Sequence, residues 1–152
     1  MRYKDDPAFF ALLTGSFFRV VGRQLVADPG IGADWLYTQA PFALLAHDKR
    51  PDPVFVYANR AAQRAFGYGW EEFIGMPSRL SAELLDRPER QRLLDAVARN
   101  GFVTDYAGIR IAKDGARFPI ADGVVWQLID AAGELRGQAA AFPLSADGTY
   151  AV

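Results

Sequence analysis

The chain of 152 residues contains no cysteine and only one histidine, His47. Without thiols it can form neither disulfides nor thiolate-bound zinc or iron–sulfur centres, and it has no thiol nucleophile. A single imidazole is likewise too few for a histidine-based metal cluster. We therefore expect a fold that is held together by packing alone, which a chain of this length can support with one buried core.

The sequence also lacks a surplus of either charge and any long apolar run. Its 17 basic side chains are balanced by 18 acidic ones, so the dense positive charge that nucleic-acid binding requires is missing. No stretch reaches the roughly 20 apolar residues of a membrane span. Acidic Asp5 and Asp6 stand where a signal peptide would be basic. The composition predicts a soluble cytoplasmic protein that binds neither nucleic acid nor membranes.

Aromatic side chains make up 13% of the residues, and several fall in the first segment of the chain. Asp6 is a suitable cap and Pro7 a suitable first residue for a helix that we predict over residues 6–26. The apolar residues of this helix are too many for one narrow stripe. They are Phe9, Phe10, Leu12, Leu13, Phe17, Phe18, Val20, Val21 and Leu25. We expect the helix to pack on the domain's own sheet, with an interface to a second subunit as the alternative.

The breaker cluster at residues 28–32 ends this helix, and the globular part begins at Pro41. Apolar runs at residues 42–46 and 54–57, separated by a polar turn, predict a β-hairpin. Helices are predicted at residues 59–66, 70–74 and 88–100. Asn59 and Asp86 are suitable caps for the first and last of these helices.

Three strand-like segments, at residues 102–113, 116–129 and 135–144, complete the chain. This order predicts an α+β domain with a five-stranded antiparallel sheet, helices on one side and an N-terminal flanking helix. We divide the chain into a helix and connector at residues 1–40, a domain at residues 41–144 and a tail at residues 145–152.

Alternation along the late strands predicts which side chains share a face of the sheet. Gly123 and Val125 point to the face opposite Trp126, and the last strand is small on both faces, including Ala139 and Ala141. Small residues allow a close approach either of a packed element or of a ligand, and both interpretations stay open.

Arg110 shares a predicted strand face with Tyr106. A buried guanidinium needs an anionic partner. The partner is either a carboxylate of this chain or the carboxylate or phosphate of a ligand.

Several short motifs, in the expected order, resemble those of PAS domains. They are residues 56–62 (VYANRAA), 66–68 (FGY), 70–75 (WEEFIG), 113–115 (KDG) and 118–119 (FP). Four further segments resemble the MEKHLA domain, a PAS-related family found as short bacterial proteins and at the C-terminus of plant class III homeodomain–leucine zipper proteins. They are residues 77–83, 105–111, 124–130 and 137–142. The resemblance implies a PAS-like fold and a sensory or dimerisation-control role, without an established reaction or ligand.

The segment at residues 44–75 is also similar to the light-oxygen-voltage flavin photosensors, and that resemblance tests for a cofactor. Ser78 corresponds to their photoactive cysteine, and a hydroxyl cannot form the thioether adduct. Arg79 corresponds to the residue that neutralises the flavin phosphate. The residues that hold the flavin ring correspond to Arg110, Ala121 and Ala139, two of which have no polar group. We expect no flavin, and no haem either, because His47 is predicted in a solvent-exposed turn.

The sequence therefore predicts a non-catalytic sensory module that binds a small organic ligand, an anionic one if Arg79 and Arg110 converge. It would signal through protein contacts or through a homodimer formed by the N-terminal helix. The alternative is a ligand-free homodimerisation domain with an aromatic-filled core. An enzyme would instead need a polar cleft around Ser78, Arg79, Ser81 and His47. The candidate ligand-binding residues are Tyr57, Asn59, Phe66, Ser78, Arg79, Tyr106, Arg110, Gly123, Val125 and Ala139.

Overall fold

The computed structural model of the chain describes residues 3–26, 28, 30–81 and 87–143. The predicted cap Asp86 and the predicted tail at residues 145–152 lie outside the described residues. The helices are α1 (Pro7–Val21), α2 (Ala33–Thr38), α3 (Arg60–Phe66), α4 (Trp70–Phe73) and α5 (Arg87–Asn100), with short 3-10 helices at Tyr3–Asp5 and Ser78–Ser81. The strands are β1 (Phe42–His47), β2 (Phe55–Ala58), β3 (Phe102–Ile111), β4 (Arg117–Ile129) and β5 (Leu135–Pro143).

The five strands form one antiparallel sheet in the order β2-β1-β5-β4-β3. The late strands β3 to β5 follow one another as a meander, and β5 then pairs with β1 from the early hairpin. Helix α3 contacts β1 and helix α5 contacts β3 and β4, while α1 contacts β4. The predicted α+β architecture with a five-stranded sheet is confirmed.

Helix α1 begins where the sequence predicts and ends earlier. The Asp6 carboxylate accepts a hydrogen bond from the Ala8 N–H at 2.9 Å, which caps the first turn. Gly22 adopts the left-handed conformation with φ 90°, so the helix stops at Val21 rather than at the predicted Val26. No helix within the described ranges is both long and apolar enough to cross a bilayer.

Helix α1 packs on the domain's own sheet through one buried aromatic contact and one polar one. The ring of Phe17 meets that of Trp126 edge-on, with 4.8 Å between their centroids. The Trp126 indole N–H donates to Ser16 Oγ at 3.1 Å, and Ser16 in turn donates to the Leu13 carbonyl. A buried indole N–H normally finds such a partner, and its direction fixes how α1 sits on β4. The prediction of packing on the sheet is confirmed.

The two faces of the sheet carry separate apolar cores. The α1-side core includes Phe9, Leu13, Phe17, Leu36, Phe42, Leu44, Ala46, Tyr57, Trp70, Val124, Trp126, Leu128, Ala139 and Ala141. The opposite core, between the sheet and helices α3 and α4, includes Ala43, Leu45, Phe55, Ala58, Ala62, Phe66, Phe73, Ile120 and Phe142. Both faces are therefore covered, as the absence of a polar face on β4 predicts.

Asn59 joins three elements from a fully buried position. Its Oδ1 accepts from the backbone N–H of Leu44 on β1 and from that of Ala62 in α3, each at 3.0 Å. Its Nδ2 donates to the carbonyls of Leu36 in α2 at 3.1 Å and of Phe42 on β1 at 3.0 Å. Both amide protons and the carbonyl oxygen are thus used, and the side chain caps α3 as predicted.

We expect Asn59→Ala to lower the free energy of unfolding by about 3–5 kcal/mol, because it leaves several buried backbone groups without partners. Urea denaturation measures the change. Asn59→Asp keeps the two accepting bonds and loses the two donating ones, so it also destabilises the fold. The matched control Asn100→Ala, at the exposed end of α5, should stay within about 0.5 kcal/mol of the wild type. Equal stability of Asn59→Ala and Asn100→Ala would contradict the role of Asn59.

Candidate functional site

A small cavity lies on the side of the sheet opposite α1, between the strands, the 3-10 helix Ser78–Ser81 and helix α5. Its volume within the described part of the chain is about 50 Å³. The lining residues are Leu45, Ala46, His47, Phe55, Ser78, Ser81, Leu93, Leu94, Arg110, Val125, Gln138, Ala139 and Ala140.

The floor of the cavity is a row of apolar side chains across three strands. Leu45 on β1 pairs with Ala140 on β5, and Ala140 pairs with Val125 on β4. Because directly paired residues point to the same face of a sheet, their side chains form one continuous floor. Leu93 and Leu94 of α5 add apolar surface. The small Ala140 in the middle of the row leaves the space that the cavity occupies.

Arg110 and His47 bring basic groups to the wall of the cavity. Arg110 Nη2 donates to Tyr106 Oη at 2.9 Å, and its guanidinium lies 5.5 Å from the centroid of the Tyr106 ring. His47 Nδ1 lies 2.8 Å from the Asp48 carbonyl, which can only accept, so Nδ1 carries the proton. His47 is half-buried beside the cavity, and the expectation of a solvent-exposed turn histidine is therefore wrong.

Two serines and one amide complete the wall. Ser78 and Ser81 are buried in the second 3-10 helix, and Ser81 Oγ donates to the Ser78 carbonyl at 2.7 Å. Gln138 on β5 lies next to the apolar floor. The cavity thus combines a hydrophobic floor with several polar groups, an arrangement typical of small-molecule sites.

Residues 7–145 match the MEKHLA domain. The chain belongs to the MEKHLA domain family. This confirms the resemblance on which the PAS-like expectation rests. No curated protein sequence matches the chain.

Solved structures similar to this MEKHLA domain are PAS and light-oxygen-voltage domains. The PAS domain of a Colwellia psychrerythraea protein has a TM-score of 0.61 at 18% identity, over 69% of this chain and 86% of that one. The light-state dimer of the fungal photoreceptor Vivid has a TM-score of 0.59 at 21% identity, over 84% and 90%. A light-oxygen-voltage domain described with a flavin analogue has a TM-score of 0.58 at 21% identity, over 72% and 80%. At these identities the similarity concerns the PAS-like fold.

The structure brings four of the predicted site residues, Ser78, Arg110, Val125 and Ala139, to the cavity. Tyr106 holds Arg110 through its hydroxyl. Gly123 pairs with Tyr106, and a Cβ at this position would come within 3.3 Å of the Tyr106 carbonyl oxygen. The close approach of β3 to β4, rather than space for a ligand, accounts for this glycine.

Ala139 borders the cavity through its strand, but it belongs to the α1-side core. It pairs with Trp126, whereas Gly123 precedes Val124 and points to the other face. Alternation therefore places these two predicted site residues, Gly123 and Ala139, on opposite faces of the sheet.

Three other candidates lie away from the cavity. Arg79 Nε forms an ion pair with Asp52 Oδ1 at 3.1 Å at the surface, so it does not converge with Arg110. Asn59 is committed to the backbone bonds described above. Phe66 is packed between Phe73 and Phe118, with centroids 5.5 Å and 5.0 Å away, and fills the interior beside α3.

The sequence prediction omits Gln138, Leu93 and Leu94. It weighs His47 as a haem ligand and as part of an enzyme's polar cleft, and it names Ser81 only as part of that cleft. Gln138 alternates with Ala139 and so shares the face of Ala140, which the period of the strand could have indicated. Of the polar set expected for an enzyme, His47, Ser78 and Ser81 line the cavity and Arg79 does not. His47 Nδ1 lies against the Asp48 carbonyl, and Ser81 Oγ donates to the Ser78 carbonyl.

Tyr57 lies on the α1 side of the sheet and is almost fully buried. Its ring packs against that of Phe9, with centroids 5.4 Å apart, and its Oη has no hydrogen-bond partner among the described residues. Burial raises the pKa of the Tyr57 hydroxyl far above its usual value, and nearby Tyr37 raises the pKa further. The folded protein therefore holds this proton more tightly than the unfolded chain does.

The raised pKa predicts a loss of stability in alkali that Tyr57→Phe abolishes. The contribution is fully present below about pH 10, where the unfolded tyrosine also keeps its proton. It falls by up to about 1.4 kcal/mol for each pH unit above that point. Urea denaturation at pH 7, 9 and 11 should show this extra slope in the wild type and in the control Tyr68→Phe, where Tyr57 is intact. An identical slope in Tyr57→Phe would contradict the assignment.

Proposed function

We propose that this MEKHLA domain is a non-catalytic, cytoplasmic sensory module that binds a small organic anion in the cavity and reports binding through α1. The observation that carries the proposal is the composition of the cavity wall. Arg110 supplies positive charge and N–H donors and His47 adds a polar imidazole, while Leu45, Val125 and Ala140 supply an apolar floor. This pattern fits a short carboxylate, with an anionic head and a small apolar tail.

The cavity volume limits the size of the ligand. About 50 Å³ corresponds to about four water-sized groups, whereas sites for larger organic ligands measure roughly 300–1,000 Å³. The interior beside α3 is filled by Phe66, Phe73 and Phe118. These residues do not fit a flavin or a haem, although a similar light-oxygen-voltage domain was described with a flavin analogue. Formate, acetate, glycolate and propionate are of suitable size.

A direct route connects the cavity to α1. Val125 lines the cavity, and the next residue, Trp126, binds Ser16 and packs on Phe17 from the other face of β4. A ligand that moves β4 therefore acts on both faces of the sheet. Because packed interfaces shift between discrete arrangements, a small displacement of Trp126 is expected to change how α1 sits on the sheet.

Thermal unfolding in the presence of the four short carboxylates tests the anion site. We expect at least one to raise the unfolding midpoint in a saturable manner, because a ligand that binds only the folded state stabilises it by mass action. The gain is about 2.7 kcal/mol at a concentration one hundred times Kd. Acetamide, which has the shape of acetate without its charge, and sodium chloride at equal ionic strength should have much smaller effects.

Three variants locate the response in the cavity. Arg110→Gln removes the charge and Ala140→Leu fills the space, so each should abolish the shift. Arg136→Gln removes an exposed arginine that pairs with Asp130 at 3.6 Å outside the cavity, and it should leave the shift intact. The proposal fails if none of the carboxylates differs from chloride, or if Arg110→Gln responds like the wild type.

We also propose that α1 forms a homodimer interface, the second candidate role of the domain. Phe18 on α1 is 56% exposed, which is unusual for so large an apolar side chain. It borders a groove lined by Thr14, Gly15, Gln24, Leu25 and Val26. The structurally similar photoreceptor Vivid forms a light-state dimer. A second copy of this chain would cover Phe18 and the groove together.

Sedimentation velocity at micromolar concentration tests the homodimer. We expect the wild type to sediment as a dimer and Phe18→Asp as a monomer, because a buried carboxylate at the interface costs more than the contact supplies. Leu135→Asp makes the same change at a side chain that is 38% exposed on β5 and should remain dimeric. A monomeric wild type, or a dimer unaffected by Phe18→Asp, would rule out this interface.

A further inference from the structure

Three aromatic rings from three different elements meet on the α1 side of the sheet. Tyr37 comes from α2, Tyr57 from β2 and Trp70 from α4. The centroid of the Tyr37 ring lies 5.6 Å from that of Trp70 and 6.4 Å from that of Tyr57, and 6.1 Å separates Tyr57 from Trp70. The planes cross at 75°, 73° and 86°, so each ring stands steeply to the other two. We call these three residues the ring cluster.

The ammonium group of Lys4 lies over the ring cluster. Its Nζ is 6.0 Å from the centroid of Tyr37 and 5.8 Å from that of Trp70. Aromatic faces carry negative potential and attract organic cations at such distances. No carboxylate of the described residues pairs with Lys4. The Tyr37 and Trp70 rings are therefore the groups that interact with the Lys4 ammonium.

The ring cluster also contains two hydrogen-bonding groups that no described residue satisfies. Tyr57 Oη and Trp70 Nε1 are buried and have no partner among the described residues. Tyr37 Oη, in contrast, accepts from Gln63 Nε2 at 2.8 Å. Buried polar groups are nearly always satisfied in native proteins, so an unused acceptor and an unused donor in one cluster require an explanation. A ligand that carries both an ammonium and a polar group could satisfy them.

We propose that the ring cluster is a binding site for an organic ammonium ion, and that Lys4 occupies it in the ligand-free protein. The site is on the opposite side of the sheet from the anion cavity, so the proposal does not depend on the proposed function. Lys4 belongs to the 3-10 helix Tyr3–Asp5, which precedes α1 and contacts β2 and α2. A ligand that displaces Lys4 therefore releases the 3-10 helix Tyr3–Asp5 from the sheet edge.

Lys4 competes with the ligand because both place a cation against the same two rings. The apparent affinity for an added ammonium ion is reduced by the fraction of molecules in which Lys4 occupies the site. Removing the Lys4 charge should therefore strengthen binding, by up to about fivefold if the contact has the strength of one exposed cation–π pair. If Lys4 only packs against the rings, removal of its charge should leave the affinity for the ammonium ion unchanged.

Choline and its uncharged isostere 3,3-dimethylbutan-1-ol, added to the full chain, test the proposal. The readout is the indole N–H signal of Trp70 in a two-dimensional ¹H–¹⁵N NMR spectrum, identified by its loss in Trp70→Phe. We expect choline to shift this signal in a saturable manner in the wild type and at up to about fivefold lower concentration in Lys4→Ala. The alcohol, which has the same shape without the charge, should cause no saturable shift.

Two control variants keep the test decisive. Lys49→Ala removes an exposed lysine that pairs with Glu134 elsewhere, and it should bind choline like the wild type. Lys4→Met keeps most of the apolar stem and removes the charge, so it should match Lys4→Ala and replaces it if that variant does not fold. The proposal is overturned if choline causes no saturable shift in either protein. It is also overturned if the alcohol shifts the Trp70 signal as strongly as choline.

Discussion

The side chain of Asn59 is the constraint on which the rest of the structure depends. It binds β1, α2 and α3 at once, and each of its donors and its acceptor oxygen is used. Through β1 it positions Leu45 and His47 at the cavity, and through α2 it positions Tyr37 in the ring cluster. Through α3 it positions Phe66, which fills the interior. Both candidate sites therefore inherit their geometry from one buried amide.

Much of this geometry could be predicted from local sequence. An asparagine before an alanine-rich helix indicates a cap, and the structure uses Asn59 in that role. Period-two alternation separates Val125 from Trp126, and the structure places them on opposite sides of the sheet. Both signals are local, because the chemistry of one residue or the geometry of one strand decides them. The order of the helices and strands and the antiparallel sheet could also be predicted, because turn residues and alternation are local signals too.

Irregular pairing and surface charge could not be predicted in this way. The pairing of β1 with β2 shifts between Ala46 and His47, so Phe55 reaches the cavity side and Tyr57 the α1 side. Strict alternation would put Phe55 and Tyr57 on one face of the sheet. Arg79 is similar to a ligand-binding arginine by position, yet Asp52 folds back beside it. Neither the bulge nor this turn leaves a clear sequence signal.

The small residues of β5 have a different role from the one their size suggests. Ala139 lies beside Trp126 in the sheet, and Ala141 lies beside Val124, all in the core under α1. Two methyl groups in this row leave room for the Trp126 indole to reach Ser16 while Phe17 packs on it. A larger side chain at position 139 would hold α1 away from β4 and break that contact, because a packed interface tolerates little extra volume. The alanines thus let α1 pack closely on β4, the strand that also lines the cavity on its other face. A displacement of Val125 in the cavity is therefore passed to α1 through Trp126, the next residue of the strand.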